Sequence, residues 1–171
     1  MEHGFIKVAA AVPSVRVADC KYNVEQIEEL IALAEGKGVE IIVFPELCIT
    51  GYTCQDLFSQ QLLQEASESA VLLLLDFTRQ LDIISIVGLP IAVGDLLLNC
   101  AVVIQKGQIL GIVPKEYLPN YGEFYEKRWF ASSQDLRDTE IRFAGNTLPS
   151  TPRPHVFCPA AGARCGVELC E

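Results

Sequence analysis

Residues 40–44, Glu-Ile-Ile-Val-Phe, form a short apolar and β-branched run that Pro45 ends and Glu46 follows. Such a run, bounded by a proline, is typical of a β-strand covered on both faces. A second apolar run, Phe5 to Val12, precedes it and predicts another strand with both faces covered. The stretch between them carries a helical pattern. A strand, a helix and a strand in this order predict a parallel pair joined by a right-handed crossover.

The predicted helix has a beginning, an apolar face and an end in the sequence. Asn23 is the predicted N-cap, with Gln26 three positions later. Gly36 and Gly38 are expected to end the helix. The apolar face recurs at the i, i+3, i+4 and i+7 spacing of an amphipathic helix, at Ile27, Leu30, Ile31 and Ala34.

The rest of the chain continues the alternation of strands and helices. The order of these elements predicts an α/β fold with a mostly parallel or mixed sheet and outer helices. The hairpin is predicted from the Lys106-Gly107 turn, because glycine tolerates positive φ. The predicted elements are a broken helical stretch (56–81), a strand (83–88), a hairpin (97–105 and 108–113), a connector (147–154) and a last strand (163–169).

Composition excludes several classes of protein. The chain has 171 residues, which is enough for one domain. Apolar residues make up 50% of the chain and charged residues 20%, a composition that excludes a disordered protein. The net charge of −9 would repel phosphate backbones and anionic lipid, so we expect neither nucleic acid nor membrane binding. The longest apolar run, 70–75, is too short to span a bilayer.

The seven cysteines are an odd number, and no pair has the C-x-x-C spacing. The N-terminus lacks the basic and apolar stretches of a signal peptide. We therefore expect reduced thiols in a soluble, cytoplasmic domain. With only two histidines, no zinc site or other metal site is expected.

Three polar residues directly follow apolar strands, where α/β folds place reactive groups: Glu46, Lys115 and Cys170. A carboxylate can remove the proton of a thiol, and the thiolate can then attack an amide carbonyl. A lysine can neutralise the oxyanion that forms. The competing arrangement is a Cys–His pair, for which His155 is the candidate histidine.

These residues carry a resemblance to a known family. Phe44-Pro45-Glu46, the segment 115–119 (KEYLP) and the segment 165–171 (CGVELCE) resemble the three signatures of the nitrilase, or carbon–nitrogen hydrolase, superfamily. Their polar residues lie 69 and 55 residues apart, a spacing similar to that of the family. The resemblance implies an α-β-β-α sandwich. Because the chain ends just after the last strand without a closing helix, we expect a domain truncated after the nucleophile strand.

A narrower resemblance concerns the segments 44–58, 115–130 and 165–171, which are similar to the glutaminase domain of glutamine-dependent NAD(+) synthetases. It implies that Glu46 is the general base, Lys115 the oxyanion stabiliser and Cys170 the nucleophile. Tyr121 and Glu171 are implied to bind substrate, although Tyr121 could instead belong to a packed loop. Many members have a second glutamate behind the lysine, for which Glu123 and Glu126 are both candidates.

The function implied by the resemblance is hydrolysis of the glutamine side-chain amide. The ammonia would supply ATP-dependent synthesis of NAD(+) from nicotinic acid adenine dinucleotide, in a synthetase domain that binds ATP and Mg and is absent from this chain. No cofactor is expected in these 171 residues, which we expect to be inactive alone and to belong to a homo-oligomer. The alternatives are a free-standing amidase or carbamoylase acting on another small amide, and a non-catalytic module that retains the fold.

Overall fold

The computed structural model describes residues 5–137, 140–149, 155–157 and 164–169, with only the backbone described at 155–157 and 164. Its centre is a five-stranded sheet in the order β1-β2-β3-β4-β5. The strands are β1 (Val8–Ala10), β2 (Ile41–Val43), β3 (Ile84–Val93), β4 (Leu96–Gln105) and β5 (Gln108–Pro114). The helices are α1 (Cys20–Gly36) and α2 (Gln61–Phe77), with 3-10 segments at Tyr52–Ser59, Thr78–Gln80, Glu126–Arg128 and Ser133–Asp135.

The sheet is mixed, as the sequence predicts. β1, β2 and β3 are parallel, with Val8 opposite Ile41 and Ile41 opposite Ile84, which confirms the predicted parallel pair. β3, β4 and β5 form an antiparallel meander, and the turn at Lys106-Gly107 has positive φ at both residues. β3 runs five residues beyond its predicted end at Gly88. It can pass through Pro90 because β2 has ended there, so no ladder to β2 needs the missing N–H.

The N-cap of α1 is Asp19, not Asn23. The Asp19 carboxylate accepts a hydrogen bond from the Tyr22 N–H at 3.2 Å. Asn23 lies in the first turn, fully buried, where its side chain bonds the backbone of Arg16 and the carbonyl of Ile49. An asparagine that could cap a helix is used here to tie two loops together, so the prediction from residue type was wrong.

The prediction that the first strand is covered on both faces was also wrong. β1 is an edge strand of three residues, and the Val8 side chain is 65% exposed. Helices α1 and α2 pack on one face of the sheet, where they share a core with alternate residues of the strands. The other face carries a smaller cluster that Ile6, Cys165, Val167 and Leu169 partly cover: Ile41, Ile84, Ile86, Ala101, Val103 and Val113.

The last part of the chain differs from its prediction. The strand expected at 163–169 is only β9 (Arg164–Gly166), which pairs antiparallel with β8 (His155–Phe157) outside the main sheet. The connector expected at 147–154 begins inside a hairpin of β6 (Glu140–Phe143) and β7 (Asn146–Pro149). The positive φ of Ala144 and Gly145 makes that hairpin turn, and the short polar strands hid it from hydrophobic periodicity.

The chain turns directly after β2, at Glu46 and Leu47, and we call this turn the elbow. The elbow lies directly against Gly88 of β3. A Cβ atom built on Gly88 would lie 2.4 Å from the Leu47 backbone nitrogen and 3.0 Å from the Glu46 Cα. The Ile49 N–H donates to the Gly88 carbonyl at 3.1 Å, and Leu47 has a φ of 53°. Glycine at position 88 is therefore what allows the backbone carrying Glu46 to approach β3.

We expect Gly88→Ala to lower the free energy of unfolding by roughly 1–3 kcal/mol, the usual cost of overpacking, because the elbow must move away from β3. The matched control is Gly111→Ala in β5, where an added Cβ meets nothing within 4 Å. Denaturant unfolding of both variants measures the difference. Equal stability of the two variants would contradict the role given to Gly88.

An exposed cluster joins the Tyr52–Ser59 segment to the Glu126–Arg128 segment. The Asp56 carboxylate accepts hydrogen bonds from Arg128 at 2.9 and 3.1 Å and from the Trp129 ring N–H at 3.0 Å. The hydrogen bonds from Arg128 and Trp129 lower the pKa of Asp56 to about 2. The two segments lie 72 residues apart in sequence, so this cluster fixes two loops that no sheet ladder connects.

We expect Asp56→Asn to cause a small loss of thermal stability at neutral pH, since an exposed ion pair contributes little. A depressed pKa means that the stabilisation is present above the unfolded value of about 3.9 and is lost as the pH falls towards 2. The difference from the unsubstituted protein should therefore shrink between about pH 4 and pH 2, as thermal melts would show. Asp76→Asn, which breaks the exposed pair with Arg79, is the control, and a constant difference over that range would count against the assignment.

Candidate active site

Three charged side chains from separate elements meet at one end of the sheet. Glu46 follows β2, Lys115 follows β5, and Glu126 begins a 3-10 segment. The Lys115 Nζ lies 2.9 and 3.1 Å from the two carboxylate oxygens of Glu46. It also lies 3.0 Å from Oε1 and 2.9 Å from Oε2 of Glu126. The side chains of Lys115 and Glu126 are 1% and 2% exposed, whereas that of Glu46 is 26% exposed.

The charge of Lys115 is held in place by its two neighbours. Burial by itself would lower the pKa of Lys115, because it disfavours the charged form. The hydrogen bonds and negative charges of Glu126 and Glu46 together outweigh burial and raise the pKa above its ordinary value. Lys115 is therefore a fixed ammonium group, unsuited to act as a base near neutral pH and suited to stabilise negative charge.

Backbone and side-chain contacts hold these three residues in position. The Lys115 N–H donates to the Asn99 carbonyl at 2.8 Å, which extends the β4–β5 ladder to the lysine. The Asn99 amide donates to Oε1 of Glu46 at 2.5 Å. The Tyr52 hydroxyl donates to Oε1 of Glu126 at 2.8 Å. Neither Asn99 nor Tyr52 was singled out as a site residue from the sequence, because each looks like an ordinary strand or loop residue.

The structure distinguishes the two candidates for the second glutamate. Glu126 is buried against Lys115, whereas Glu123 is exposed. The Glu126 N–H donates to the Pro119 carbonyl at 3.2 Å, which turns the loop back towards the lysine. No local pattern in the sequence distinguishes two glutamates three residues apart in an irregular loop.

A cleft of about 350 Å³ opens above the charged residues. Tyr121 lies on its wall, with its ring 5.8 Å from that of Phe124 in an edge-on arrangement. Tyr121 is 69% exposed, so it is not packed into the core. The residues that line the cleft are Glu46, Tyr52, Lys115, Tyr117, Leu118, Pro119, Tyr121, Phe124 and Glu126.

Glu46 also lines a second cavity, of about 180 Å³. Leu169 lines this cavity together with Glu46. Cys170, the next residue, and Glu171 lie outside the described residues, as does the side chain of His155. The structure thus brings together Glu46, Lys115 and Tyr121 among the predicted site residues, and it leaves the positions of Cys170 and Glu171 undescribed.

The other thiols in the described chain are mostly buried. Cys20, Cys48, Cys54 and Cys100 are buried and free, and Cys165 is partly buried. Burial raises the pKa of Cys20 to about 11 and that of Cys48 to about 12, and it also raises those of Cys54 and Cys100. These four thiols are protonated at neutral pH and act as small apolar side chains.

The described residues contain no group of three or more His, Cys, Asp or Glu side chains that could hold a metal ion. Within the same part of the chain, no helix is both long and apolar enough to cross a membrane.

Comparison with known proteins places the chain in a family. The chain is 38% identical to a glutamine-dependent NAD(+) synthetase of Mycobacterium tuberculosis over 99% of its own length and 25% of that protein. A rat protein of the same name is 35% identical over 97% of the chain and 24% of its own length. The chain therefore spans about a quarter of the length of the curated relatives that it matches.

Solved structures with a similar fold include a protein of the same name. The glutamine-dependent NAD(+) synthetase of Cytophaga hutchinsonii matches 84% of this chain and 24% of its own, with 30% identity and a TM-score of 0.76. An amidase from Nesterenkonia matches 87% of this chain and 56% of its own with a TM-score of 0.65, but its 22% identity supports the fold alone. The carbon–nitrogen hydrolase family pattern matches residues 7–171. The chain belongs to the carbon–nitrogen hydrolase family and is related to the N-terminal part of glutamine-dependent NAD(+) synthetases.

Proposed function

We propose that this chain is part of a glutaminase domain that, within the complete protein, hydrolyses the side-chain amide of glutamine and supplies the ammonia for NAD(+) synthesis. The observation that carries the proposal is the Glu46–Lys115–Glu126 group, in which Lys115 and Glu126 are buried, in the lining of an open, aromatic-walled cleft. The names of the relatives support glutamine as the substrate. A cleft of about 350 Å³ is of the size that proteins use for small molecules.

Cys170 is the proposed nucleophile, with Glu46 as general base. Glu46 takes the proton of the thiol, and the thiolate forms a C–S bond with the amide carbon of glutamine. The carbonyl oxygen becomes an oxyanion beside the Lys115 ammonium, which neutralises it. When the intermediate collapses, the C–N bond breaks and Glu46 returns the proton to the departing ammonia. Glu46 then takes a proton from water, whose oxygen adds to the thioester carbon; the C–S bond breaks, glutamate is released, and the proton returns to the sulfur of Cys170.

Glu126 is proposed to hold the lysine rather than to exchange protons with the substrate. Its carboxylate is buried behind Lys115 and is itself held by the Tyr52 hydroxyl. Such an arrangement keeps the ammonium charged and fixed before the substrate arrives, which is what electrostatic stabilisation of an oxyanion requires. Tyr121, on the wall of the cleft, and Glu171 are proposed to bind glutamine.

The ammonia is proposed to be used by a synthetase domain of the same protein. ATP and Mg are proposed to bind in that domain rather than in this chain. The relatives, of which this chain matches about a quarter, have the remaining length in which such a domain could lie. We also propose that the complete protein is a cytoplasmic homo-oligomer.

We expect Glu46→Gln and Lys115→Met each to lower glutamine-dependent turnover on the order of a hundredfold or more, as loss of a positioned base or oxyanion donor does. In the complete protein, synthesis from free ammonium should survive in both variants, because that reaction does not need this site. The exposed Glu123→Gln is the matched control and should retain activity. Equal loss of both reactions would show that the residues support the fold instead.

We expect a diazo-ketone analogue of glutamine to label Cys170 and to abolish glutamine hydrolysis. The four buried thiols should not react, because their raised pKa values keep them protonated. Peptide mapping by mass spectrometry identifies the labelled residue, with Cys165→Ser as the control for the thiol that is partly exposed among the described residues. Labelling of Cys48 or Cys165 with Cys170 untouched would overturn the assignment.

A further inference from the structure

We propose that Asn99 is a positioning residue that orients the Glu46 carboxylate and leaves Oε2 of Glu46 as the atom that accepts the thiol proton. The inference rests on the proposed function only in naming Glu46 as the base. The contacts themselves are those of the described chain.

Asn99 contacts both Lys115 and Glu46. It lies in β4 opposite Pro90 of β3, and it is completely buried. Its backbone carbonyl accepts the Lys115 N–H at 2.8 Å, while its side-chain amide donates to Glu46 at 2.5 Å. One strand residue thus connects the end of β5 to the elbow after β2, two segments that carry the base and the lysine.

The direction of the Asn99 amide follows from its surroundings. Its nitrogen faces the carboxylate, whereas its oxygen is buried and finds no donor in the described part of the chain. Turning the amide over would place its oxygen against the Glu46 carboxylate and lose the only bond that the amide makes there. A buried acceptor without a partner lowers stability. The geometry thus indicates that the Asn99 amide orients the Glu46 carboxylate.

The two oxygens of Glu46 differ as a result. Oε1 accepts from the Asn99 amide at 2.5 Å and from Lys115 at 2.9 Å. Oε2 accepts only from Lys115 in the described chain, at 3.1 Å. With Oε1 engaged by two donors, Oε2 has the lone pair that remains for a proton. Rotation of the carboxylate would exchange the two oxygens, and the bond from Asn99 opposes that rotation.

The charged groups near Glu46 come from several elements. Lys115 contacts it directly, and Glu126 lies behind the lysine. Glu168 lines the second cavity, which Glu46 lines as well. All three are retained in the variants used to test the proposal, so a change in pH dependence can be attributed to position 99.

The test compares Asn99→Ala and the isosteric Asn99→Asp in the complete protein, with Ser85→Ala as the control. Ser85 is a buried residue of β3, opposite Ile42 and Ile104, and its hydroxyl has no partner in the described chain, so its removal changes a buried polar side chain that makes no contact with Glu46 through a hydrogen bond. The measurements are kcat and KM for glutamine, the pH profile of kcat/KM, thermal stability, and the rate at which iodoacetamide alkylates Cys170.

Asn99→Ala should lower kcat roughly tenfold to a hundredfold, the usual effect of a misplaced catalytic group, with KM changed by less than about threefold. Asn99→Asp should lower it further and move the acid limb of the pH profile to higher pH, because two facing carboxylates resist joint ionisation. Asn99→Ala should also lower the rate at which Cys170 is alkylated. In a Glu46→Gln background it should lower that rate little further, since both substitutions act through the Glu46 carboxylate.

Wild-type kcat and an unmoved acid limb in both variants would overturn the proposal. An equal fractional loss of alkylation from Asn99→Ala in the native and the Glu46→Gln backgrounds would overturn it as well. If Asn99→Ala loses its fold, Asn99→Asp keeps the shape of the side chain and decides the question. Failure of the unsubstituted protein to hydrolyse glutamine would refute the proposed function, yet the alkylation rates would still measure the coupling between Asn99 and Glu46.

Discussion

The buried ammonium of Lys115 is the interaction on which the site depends. An isolated charge at this depth would be costly, and the two carboxylates that flank it make the burial possible. Each carboxylate comes from a different part of the chain, so the lysine also fixes the relative positions of Glu46 and Glu126. Removal of either carboxylate would leave an incompletely compensated buried charge, which is more damaging than the absence of the whole group.

The sheet supplies the precision that this arrangement needs. Gly88 admits the elbow of β2, and Asn99 links the elbow to the end of β5. The loops are held separately, through the contact of Asp56 with Arg128 and Trp129. The segments 44–58 and 115–130, which resemble the synthetase family in sequence, therefore contact each other directly in the structure.

The sequence predicted the parts of the structure that follow hydrophobic periodicity or chain order. It predicted the parallel β1–β2 pair and the hairpin of β4 and β5, and the structure confirms both. It misplaced the N-cap of α1, because Asn23 bonds distant backbone groups that no local pattern reveals. It left Glu126 undecided and overlooked Asn99 and Gly88, since each acts through a contact with a residue far away in sequence.

The separation of the site residues along the chain has a consequence for folding. The β3–β4–β5 meander pairs neighbouring segments, whereas Glu46 and Lys115 are 69 residues apart. Non-local contacts are slow to form because loop-closure entropy is lost before they contribute. We therefore expect the meander to gain protection from amide hydrogen exchange before the elbow after β2 does in a refolding experiment. On the ribosome, the ion pair cannot close until the segment that carries Lys115 has emerged, so Glu46 has to wait for a partner made 69 residues later.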